Sequence, residues 1–247
     1  MTAKPPMPSH AMVLSAGLGK RMRPLTETRP KPLVEVQGRS MLDRVLDRLA
    51  AAGIGEAVVN LHYLGGMIES HLADRQDIAI RFSREDSLLD TGGGVTQALP
   101  WLGDAAFYVC NGDMVWLDGR VPALERLAAA WDERRMDALL LLHPAAFALG
   151  YDGFGDFFLD PDGLIRRRRE REVAPFIFTG IQILHLRLFK DLPEGAFSLN
   201  LLYDRAAAQE RLWGLRHDGE WFHVGTVADL EAVQHVLHHK DVISVHR

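Results

Sequence analysis

Apolar and polar positions follow two alternating patterns along the first 150 residues. Short apolar runs of strand length are each followed by a stretch whose apolar residues recur every three or four positions, as on one face of a helix. The predicted strands are residues 11–14, 57–61, 78–83, 107–113 and 138–143. The predicted helices are residues 40–53, 64–72 and 122–134, and residues 91–99 read as a glycine loop that leads into a helix. This alternation predicts a mainly parallel sheet with helices on both faces.

The pattern changes after about residue 150. Residues 155–167 predict a hairpin with Pro161, Asp162 and Gly163 in its turn. Strands are predicted over 176–184 and 211–215, and helices over 199–209 and 227–239. No Pro-, Gly- or Ser-rich linker and no repeat divides the chain. We therefore predict an α/β fold of Rossmann-like three-layer α/β/α architecture, in one domain over 10–247 with a small inserted β-rich lid, after a flexible tail over 1–9.

Composition narrows the possible partners. The net charge of −5 argues against a protein that coats nucleic acid. The only cysteine, Cys110, excludes an intrachain disulfide and fits a reducing compartment. The N-terminus has no apolar core for a signal peptide, and the densest apolar run, 138–142, is too short to span a bilayer. The sequence thus predicts a cytoplasmic protein without nucleic-acid or membrane partners.

The first predicted turn departs from this mildly acidic background. The stretch "LSAGLGKRMRPLTETRPKPL" occupies residues 14–33, directly after the first strand. Its cations are Lys20, Arg21, Arg23, Arg29 and Lys31. Gly17 and Gly19 let the backbone approach a phosphate group closely, and the prolines stiffen the loop. Glycine, clustered cations and proline at this place indicate a site for a small anion.

Two common phosphate-binding motifs do not fit this turn. The dinucleotide motif G-x-G-x-x-G fails because Met22 takes the place of the third glycine. The P-loop fails because Arg21 follows Gly19-Lys20 and because Leu14 takes the place of the first glycine. The sequence therefore favours neither a dehydrogenase nor a P-loop kinase.

The same stretch resembles the signature of sugar-1-phosphate nucleotidylyltransferases, which reads L-x-A-G-x-G, a cation pair, P-L-T and P-K-P. The resemblance continues through "TGGG" (91–94), "NGD" (111–113), "TGIQIL" (179–184) and "WFHVGT" (221–226), so it covers nearly the whole chain. It is strongest to short bacterial members that make UDP-N-acetylmuramate or GDP-activated sugars. It implies the nucleotide-diphospho-sugar transferase fold, with a nucleotide-binding half over about 10–150 and a sugar-binding half over about 151–247.

The resemblance also implies a reaction. A sugar 1-phosphate attacks the α-phosphorus of a nucleoside triphosphate, and pyrophosphate leaves. The attacking oxygen is already ionised at neutral pH, so cations and a metal are needed more than a general base. We expect UTP and N-acetylmuramate 1-phosphate as substrates, with guanylyl transfer to mannose or heptose 1-phosphate as the alternative. A non-catalytic relative that binds nucleotide sugars and regulates a partner is an alternative of another class. Either a monomer or a homodimer is expected.

The matching motifs imply roles for individual residues. Arg21 and Lys31 are the expected catalytic residues, because they match the family's phosphate-binding cations. The expected nucleotide-binding residues are Ala16, Gly17, Gly19, Lys20, Gly92, Gly93 and Asn111. The expected metal ligands are Asp113 and His223. The expected sugar-binding residues are Asp156, Thr179, Gly180 and Asn200.

His223 is the main departure from the family, whose members mostly carry a metal-binding aspartate there. Imidazole is a poor ligand for Mg²⁺. The Asp113 carboxylate suits Mg²⁺, which is the expected cofactor. Mn²⁺ is the alternative if His223 is a ligand. Alternatively, His223 contacts phosphate directly or through a metal-bound water. A further alternative is that His223 weakens the metal site, and this keeps the regulatory, non-catalytic alternative open. A histidine that simply packs at a strand end is the remaining interpretation.

Two further charged groups have open interpretations. The family's E-K-P element is absent, and "RRRRERE" (166–172) stands in its place. This run either meets an acidic sugar substituent, such as the lactyl carboxylate of N-acetylmuramate, or forms the solvated face of a hairpin. His235 and His239 have the i, i+4 spacing of a metal site, although a cationic helix C-terminus explains them more simply.

Overall fold

The computed structural model describes the backbone of residues 7–245 and the side chains of residues 7–240. Most of the predicted tail, residues 1–6, lies outside the described residues. The strands are β1 His10–Leu14, β2 Glu35–Val36, β3 Arg39–Ser40, β4 Glu56–Leu61, β5 Ala79–Arg84, β6 Ala106–Asn111, β7 Val115–Leu117, β8 Ala138–Pro144, β9 Phe157–Leu159, β10 Ile165–Arg167, β11 Phe176–His185, β12 Leu212–Arg216 and β13 Glu220–Phe222. The helices are α1 Met41–Ala51, α2 Gly65–Leu72, α3 Asp90–Ala98, α4 Ala123–Ala130, α5 Asn200–Ala208 and α6 Val227–Val245.

Within the described residues, nine strands form one sheet around β1. Strand β1 pairs in parallel with β4 and β6, and β4 pairs in parallel with β5. The order across the sheet is β10-β9-β11-β6-β1-β4-β5, with β8 and β12 continuing from β11. The carboxyl ends of β1, β4, β5 and β6 therefore meet at one edge. Open α/β sheets bind their ligands at this edge.

Helices cover both faces of this sheet. Consecutive strand residues point to opposite faces. Val13 and Val59 pack with the apolar residues of α1 and α2, whereas Met12 and Val58 pack with those of α3 and α5. Strands buried on both faces read as continuous apolar runs, which is how the sequence pattern identified them. The predicted three-layer α/β/α fold is confirmed.

The second half of the chain contributes to the same sheet. Strand β11 lies between β6 and β8 and is antiparallel to both. The β9–β10 hairpin pairs with β11 at the sheet edge. Its turn is the predicted one, because Asp160 Oδ1 accepts hydrogen bonds from the N–H groups of Asp162, Gly163 and Leu164. Strand β7 pairs with β13 from the second half, so a separate small sheet also joins the two halves.

Residues 91–99 were predicted to begin as a glycine loop, and this part of the prediction is wrong. Residues 91–94 lie inside α3, which begins at Asp90, and its three glycines are buried. A Cβ atom on Gly92 would overlap the ring of Phe197, and one on Gly93 would lie 3.0 Å from the carbonyl oxygen of Gly195. The glycines therefore allow the segment around Phe197 to approach the helix closely.

Two helix ends show how local sequence acts. The Ser40 hydroxyl accepts the N–H of Asp43 at 3.0 Å and so caps α1 at the predicted start of this helix. Helix α6 runs to Val245, beyond the predicted end at residue 239. None of the helices in residues 7–245 combines the length and apolar character that crossing a membrane would require.

Candidate active site

A cavity of about 530 Å³ lies at the carboxyl edge of β1, β4 and β6. Its lining brings together residues that are up to about 200 positions apart in sequence. From the predicted site it includes Ala16, Gly17, Gly19, Lys20, Arg21, Lys31, Asn111 and Asp113. Residues that were not among the predicted site residues also line it: Leu14, Ser15, Pro32, Asn60, Glu85, Leu88, Asp90, Thr91 and Gly225.

The cation-rich loop is held in a defined shape by its own contacts. Gly19 adopts a left-handed conformation with φ 60°. Its carbonyl accepts the Thr26 hydroxyl at 2.8 Å, and Tyr63 donates its own hydroxyl to the Thr26 carbonyl at 2.9 Å. Met22 is fully buried in an apolar cluster. The residue that breaks the dinucleotide motif is thus the anchor that places Arg21 beside the cavity.

Lys31 and Asp113 form an ion pair at the cavity. The Lys31 Nζ atom lies 2.6 Å from Asp113 Oδ2, and the two side chains are only 14% and 32% exposed. Partial burial strengthens this attraction relative to a pair in water. Asp113 follows β6, so the pair connects the cation-rich loop to the end of the neighbouring strand.

His223 lies at the border of the same cavity. Its ring contacts Trp221, with ring centroids 5.8 Å apart, and the edge of Tyr151, at 6.1 Å. Burial lowers the pKa of His223, the charge of Asp229 raises it, and Lys31 and Arg21 lower it further. A Cβ atom on Gly225 would overlap the Nε2 atom, so this nitrogen lies against a residue of the cavity lining.

The loop after His223 is fixed by the start of α6. Asp229 Oδ2 accepts the N–H groups of Gly225 and Thr226 at 3.1 and 2.8 Å. The N–H of Asp229 in turn donates to the Thr226 hydroxyl at 3.2 Å. This reciprocal cap holds Gly225 at the cavity and places the Asp229 charge near His223.

Whether a divalent metal fits this cavity depends on which side-chain oxygen and nitrogen atoms are available as ligands. Within residues 7–240 no three His, Cys, Asp or Glu side chains are grouped so that they could hold a metal ion by themselves. A single carboxylate such as Asp113 suits Mg²⁺, which usually keeps several waters and takes its other ligands from substrate phosphates. A nitrogen donor from His223 would favour a softer ion. The residues therefore fit a metal that binds together with a phosphate ligand.

Asn60 and Glu85 are site residues that the sequence analysis missed. Asn60 lies in β4, and Glu85 directly follows β5. The N–H of Ser15 donates to Asn60 Oδ1 at 2.6 Å, and Asn60 Nδ2 donates to Glu85 Oε1 at 2.7 Å. The other oxygen, Oε2, accepts the N–H of Leu89 at 3.0 Å. Polar residues near the ends of two neighbouring predicted strands were the available sequence signal.

Gly92 and Gly93 lie beneath Phe197, whereas Thr91 reaches the cavity. The Thr91 hydroxyl accepts the N–H of Leu199 at 2.9 Å. The structure thus brings Arg21, Lys31 and Asp113 together at one cavity, whose lining does not include His223, and it gives these two glycines a packing contact with the 195–199 segment.

A second cavity, of about 470 Å³, contains part of the predicted sugar site. It is lined by Asp156, Phe157, Arg167, Arg168, Glu170, Phe178, Asn200 and Tyr203. The Asp156 carboxylate accepts the N–H of Phe178 at 2.9 Å, and burial raises the pKa of Asp156. Asp156 and Asn200 are thus brought together as expected.

Thr179 and Gly180 lie between the two cavities, on β11. The buried Thr179 hydroxyl donates to the Leu141 carbonyl at 2.8 Å, and the Thr179 carbonyl accepts the indole N–H of Trp221. Gly180 has φ 82°, and a Cβ atom there would lie 2.7 Å from Asn111 Nδ2. A larger residue at 180 would therefore overlap the Met114 side chain and press against Asn111 at the first cavity.

The arginine run divides into two groups. Arg166 pairs with Glu172 at 2.6 Å and has a side chain that is 51% exposed. Arg167 and Arg168 line the second cavity. Arg166 therefore fits the interpretation as a solvated hairpin face, whereas Arg167 and Arg168 lie at the cavity that also contains Asp156 and Asn200. His235 and His239 lie on an exposed surface of α6, with ring centroids 4.4 Å apart.

The chain is similar to known proteins in sequence and in fold. Residues 10–151 match the family described as nucleotidyl transferase. The chain is 44% identical over 223 residues to an N-acetylmuramate α-1-phosphate uridylyltransferase of Caulobacter vibrioides, covering 88% of this chain and 92% of that protein. It is 36% identical over 228 residues to the protein of the same name from Neisseria meningitidis, covering 91% and 96%. The structure of HddC from Yersinia pseudotuberculosis complexed with GMP-PN superposes with a TM-score of 0.74 at 20% identity, over 93% of this chain and 99% of that one, and supports the fold.

Proposed function

Because this chain belongs to the nucleotidyl transferase family, we propose that it transfers a uridylyl group from UTP to N-acetylmuramate α-1-phosphate, giving UDP-N-acetylmuramate and pyrophosphate. The observation that carries the proposal is the convergence of Arg21, Lys31 and Asp113 on one cavity beside a glycine turn. Two relatives named for this reaction align with most of the chain, which supports the choice of substrates.

The site residues suit an in-line displacement between anions. An oxygen of the sugar phosphate forms a bond to the α-phosphorus of UTP, the bond from that phosphorus to the β-phosphate oxygen breaks, and pyrophosphate leaves. Lys20, Arg21 and Lys31 bring the anions together and compensate the charge that develops on the leaving group. Removing one such preorganised donor typically costs about 3 kcal/mol of transition-state stabilisation.

A divalent metal would be held by Asp113, with His223 as the neighbouring nitrogen donor. When bound, the cation would neutralise phosphate charge and orient the α-phosphate. We propose Mg²⁺ as the ion, with Mn²⁺ as the alternative if His223 is a ligand. Lys31, which is paired with Asp113 in the structure, would then be available to the phosphates.

The Glu85 carboxylate in the cavity lining supports a nucleotide whose base offers an N–H group. An ionised carboxylate only accepts hydrogen bonds, and each of its oxygens accepts more than one. The Watson–Crick edge of uracil presents an N3–H donor, whereas the N3 atom of cytosine and the N1 atom of adenine are acceptors. An acceptor in the lining therefore pairs with the ring N–H of uracil, whereas CTP and ATP could meet it only through an exocyclic amine, with their ring acceptor left unpaired beside it, so we place UTP ahead of both.

Guanylyl transfer to mannose or heptose 1-phosphate is the second candidate. Guanine presents an N1–H donor, so Glu85 accepts a hydrogen bond from it equally well. The near full-length relatives, both named uridylyltransferases, make UTP the first choice.

The experiment is a pyrophosphate-release assay. UTP, GTP, CTP, dTTP and ATP are each combined with a panel of sugar 1-phosphates, in Mg²⁺ and in Mn²⁺, with Asp113→Ala as the control. We expect the strongest signal from UTP with N-acetylmuramate 1-phosphate and loss of that signal in the variant. Silence with every pair, although nucleotide still binds, would instead support the regulatory alternative.

A further inference from the structure

Two arginines of the run, Arg167 and Arg168, line the second cavity, and they differ in how they are held. Arg168 Nε donates to the Gly155 carbonyl at 2.8 Å, and its NH1 atom contacts the carbonyls of Arg169 and Glu170. Backbone carbonyls thus occupy much of the Arg168 guanidinium. Arg168 is therefore part of the framework that shapes the hairpin.

Arg167 is held more weakly. Its NH1 atom donates to Asp204 Oδ2 at 2.7 Å and approaches the carbonyl oxygen of Asn200 at 3.4 Å. The Asp204 side chain is 59% exposed. Exposed ion pairs contribute little stability. A guanidinium carries five N–H donors in a planar fork, so Arg167 can bind a second carboxylate while it keeps Asp204 or in exchange for it.

The rest of the cavity has groups that suit a sugar. Asp156 and Asn200 offer hydrogen-bonding groups for hydroxyls. Phe178 and Tyr203, whose ring centroids lie 6.1 Å apart, offer apolar surface for the C–H face of a ring. The carboxylates of Asp156 and Glu170 leave the lining without a net positive charge. Recognition of an acid here therefore depends on directed hydrogen bonds from an arginine rather than on a diffuse positive field.

The two cavities are neighbours through shared elements. Phe178 lines the second cavity, and Gly180, two residues along β11, contacts Asn111 of the first. Two strand residues span about 7 Å. On the other side, Thr91 of the first cavity binds the N–H of Leu199, which precedes Asn200 of the second. A sugar ring can thus lie between a phosphate in the first cavity and a ring substituent in the second.

From these relations we propose that Arg167 binds the carboxylate of an acidic sugar 1-phosphate and sets the preference of this enzyme for it. The inference rests on the proposed function, whose sugar carries a lactyl carboxylate on carbon 3. The ring separates this carboxylate from the anomeric phosphate. Asp204 holds the guanidinium at the cavity until the substrate carboxylate arrives.

The test compares two substrates that differ only in the acid. N-acetylmuramate 1-phosphate and N-acetylglucosamine 1-phosphate share the ring, the acetamido group and the phosphate, and only the first has the lactyl group. Initial rates with UTP give kcat/KM for both sugars. The variants are Arg167→Gln and Arg167→Lys, and the matched control is Arg166→Gln, from the same run but paired with Glu172. KM for UTP and the melting temperature report on the fold.

We expect Arg167→Gln to lower kcat/KM for N-acetylmuramate 1-phosphate by about 10- to 100-fold, the size of one charge-assisted hydrogen bond. N-acetylglucosamine 1-phosphate should change much less. Arg167→Lys keeps the charge and a partner for Asp204, so it should fold normally, yet it should lose most of the preference because it lacks the planar fork. Arg166→Gln should keep the wild-type ratio.

Two outcomes would overturn the inference, and they are distinguishable. If wild-type enzyme uses N-acetylmuramate 1-phosphate and both Arg167 variants keep the wild-type ratio, Arg167 does not bind the acid although the proposed function stands. If wild-type enzyme forms no UDP-sugar from either substrate in Mg²⁺ or Mn²⁺, the proposed function itself is wrong, and the inference falls with it.

Discussion

The Nζ atom of Lys31 and the Oδ2 atom of Asp113 lie 2.6 Å apart, although 82 positions separate the residues in sequence. In this pair each side chain neutralises the charge of the other. A triphosphate competes for the lysine, and a divalent cation competes for the carboxylate. Nucleotide and metal should therefore support each other's binding, because each releases the partner that the other needs.

Asp113→Asn should separate nucleotide binding from turnover. Without the carboxylate, Lys31 is free, and metal-free UTP should bind about fivefold more tightly, as expected for about 1 kcal/mol of lost ion pairing. Turnover should fall by about 100-fold or more, because the expected metal ligand is gone. Calorimetric titration of UTP in EDTA measures the first effect. Asp218→Asn, which removes a partner of Arg126, is the control. Unchanged metal-free affinity would show that the ion pair does not restrain Lys31 in solution.

Glu85→Gln should weaken base discrimination. Glutamine places an N–H donor where the carboxylate had a second acceptor, so the N3–H of uracil loses a partner and the N3 of cytosine gains one. We expect kcat/KM for UTP to fall about tenfold or more and the UTP-to-CTP preference to fall with it. The control is Glu56→Gln, because Glu56 begins β4 and so lies at the end of that strand far from Asn60, the partner of Glu85. An unchanged UTP-to-CTP ratio would remove Glu85 from base recognition.

Gly92→Ala should destabilise the fold because of packing, not backbone freedom. The added methyl group would overlap the Phe197 ring and lie 2.8 Å from the Phe197 carbonyl oxygen. Such overpacking typically costs about 1–3 kcal/mol. Gly66→Ala is the matched control, because it also lies in a helix and has nothing within 4 Å of the added atom, so it should stabilise by about 0.4–1 kcal/mol. Urea unfolding measures both, and equal effects would contradict the packing argument.

Stability should fall between about pH 7 and pH 5 because of His143 and His217. Their rings lie 5.9 Å apart in the interior, and burial lowers the pKa of each. Below the ordinary histidine pKa of about 6.5, the unfolded chain takes up protons that the folded protein excludes, which favours unfolding by up to about 1.4 kcal/mol per pH unit for each histidine.

This pH dependence is measured by urea unfolding at several pH values. His143→Gln should make the free energy of unfolding less dependent on pH in that range, while the exposed His238→Gln serves as the control. A slope that is the same in both variants would show that the buried pair does not cause the effect.

His223→Asp should change the metal preference. The substitution replaces a nitrogen donor near Asp113 and Lys31 by a carboxylate, which suits Mg²⁺ better than imidazole does. We expect the ratio of activity in Mg²⁺ to activity in Mn²⁺ to rise, as measured by pyrophosphate release across metal titrations. The same ratio in both proteins would place His223 outside the metal site and leave it a packing role beside Trp221.

The sequence by itself determined the features that depend on local order. Apolar runs separated by helical periods specify β1, β4 and β6, because strands buried on both faces must be apolar along their length. Ser40 and Asp43 specify the start of α1, and Asp160 to Gly163 specify the hairpin turn, because the interacting atoms are only a few residues apart. The signature over 14–33 also identified the cations of the site for the same reason.

Only the tertiary structure decided which of these local pieces act together. Asn60 and Glu85 became site residues because parallel pairing aligns the ends of β4 and β5. Gly92 took a packing role because a segment about a hundred positions away closes over it. Arg166 and Arg167, adjacent in sequence, point to different surroundings because strand residues alternate between faces. Such contacts depend on distances in space, which neighbouring residues in a chain do not specify.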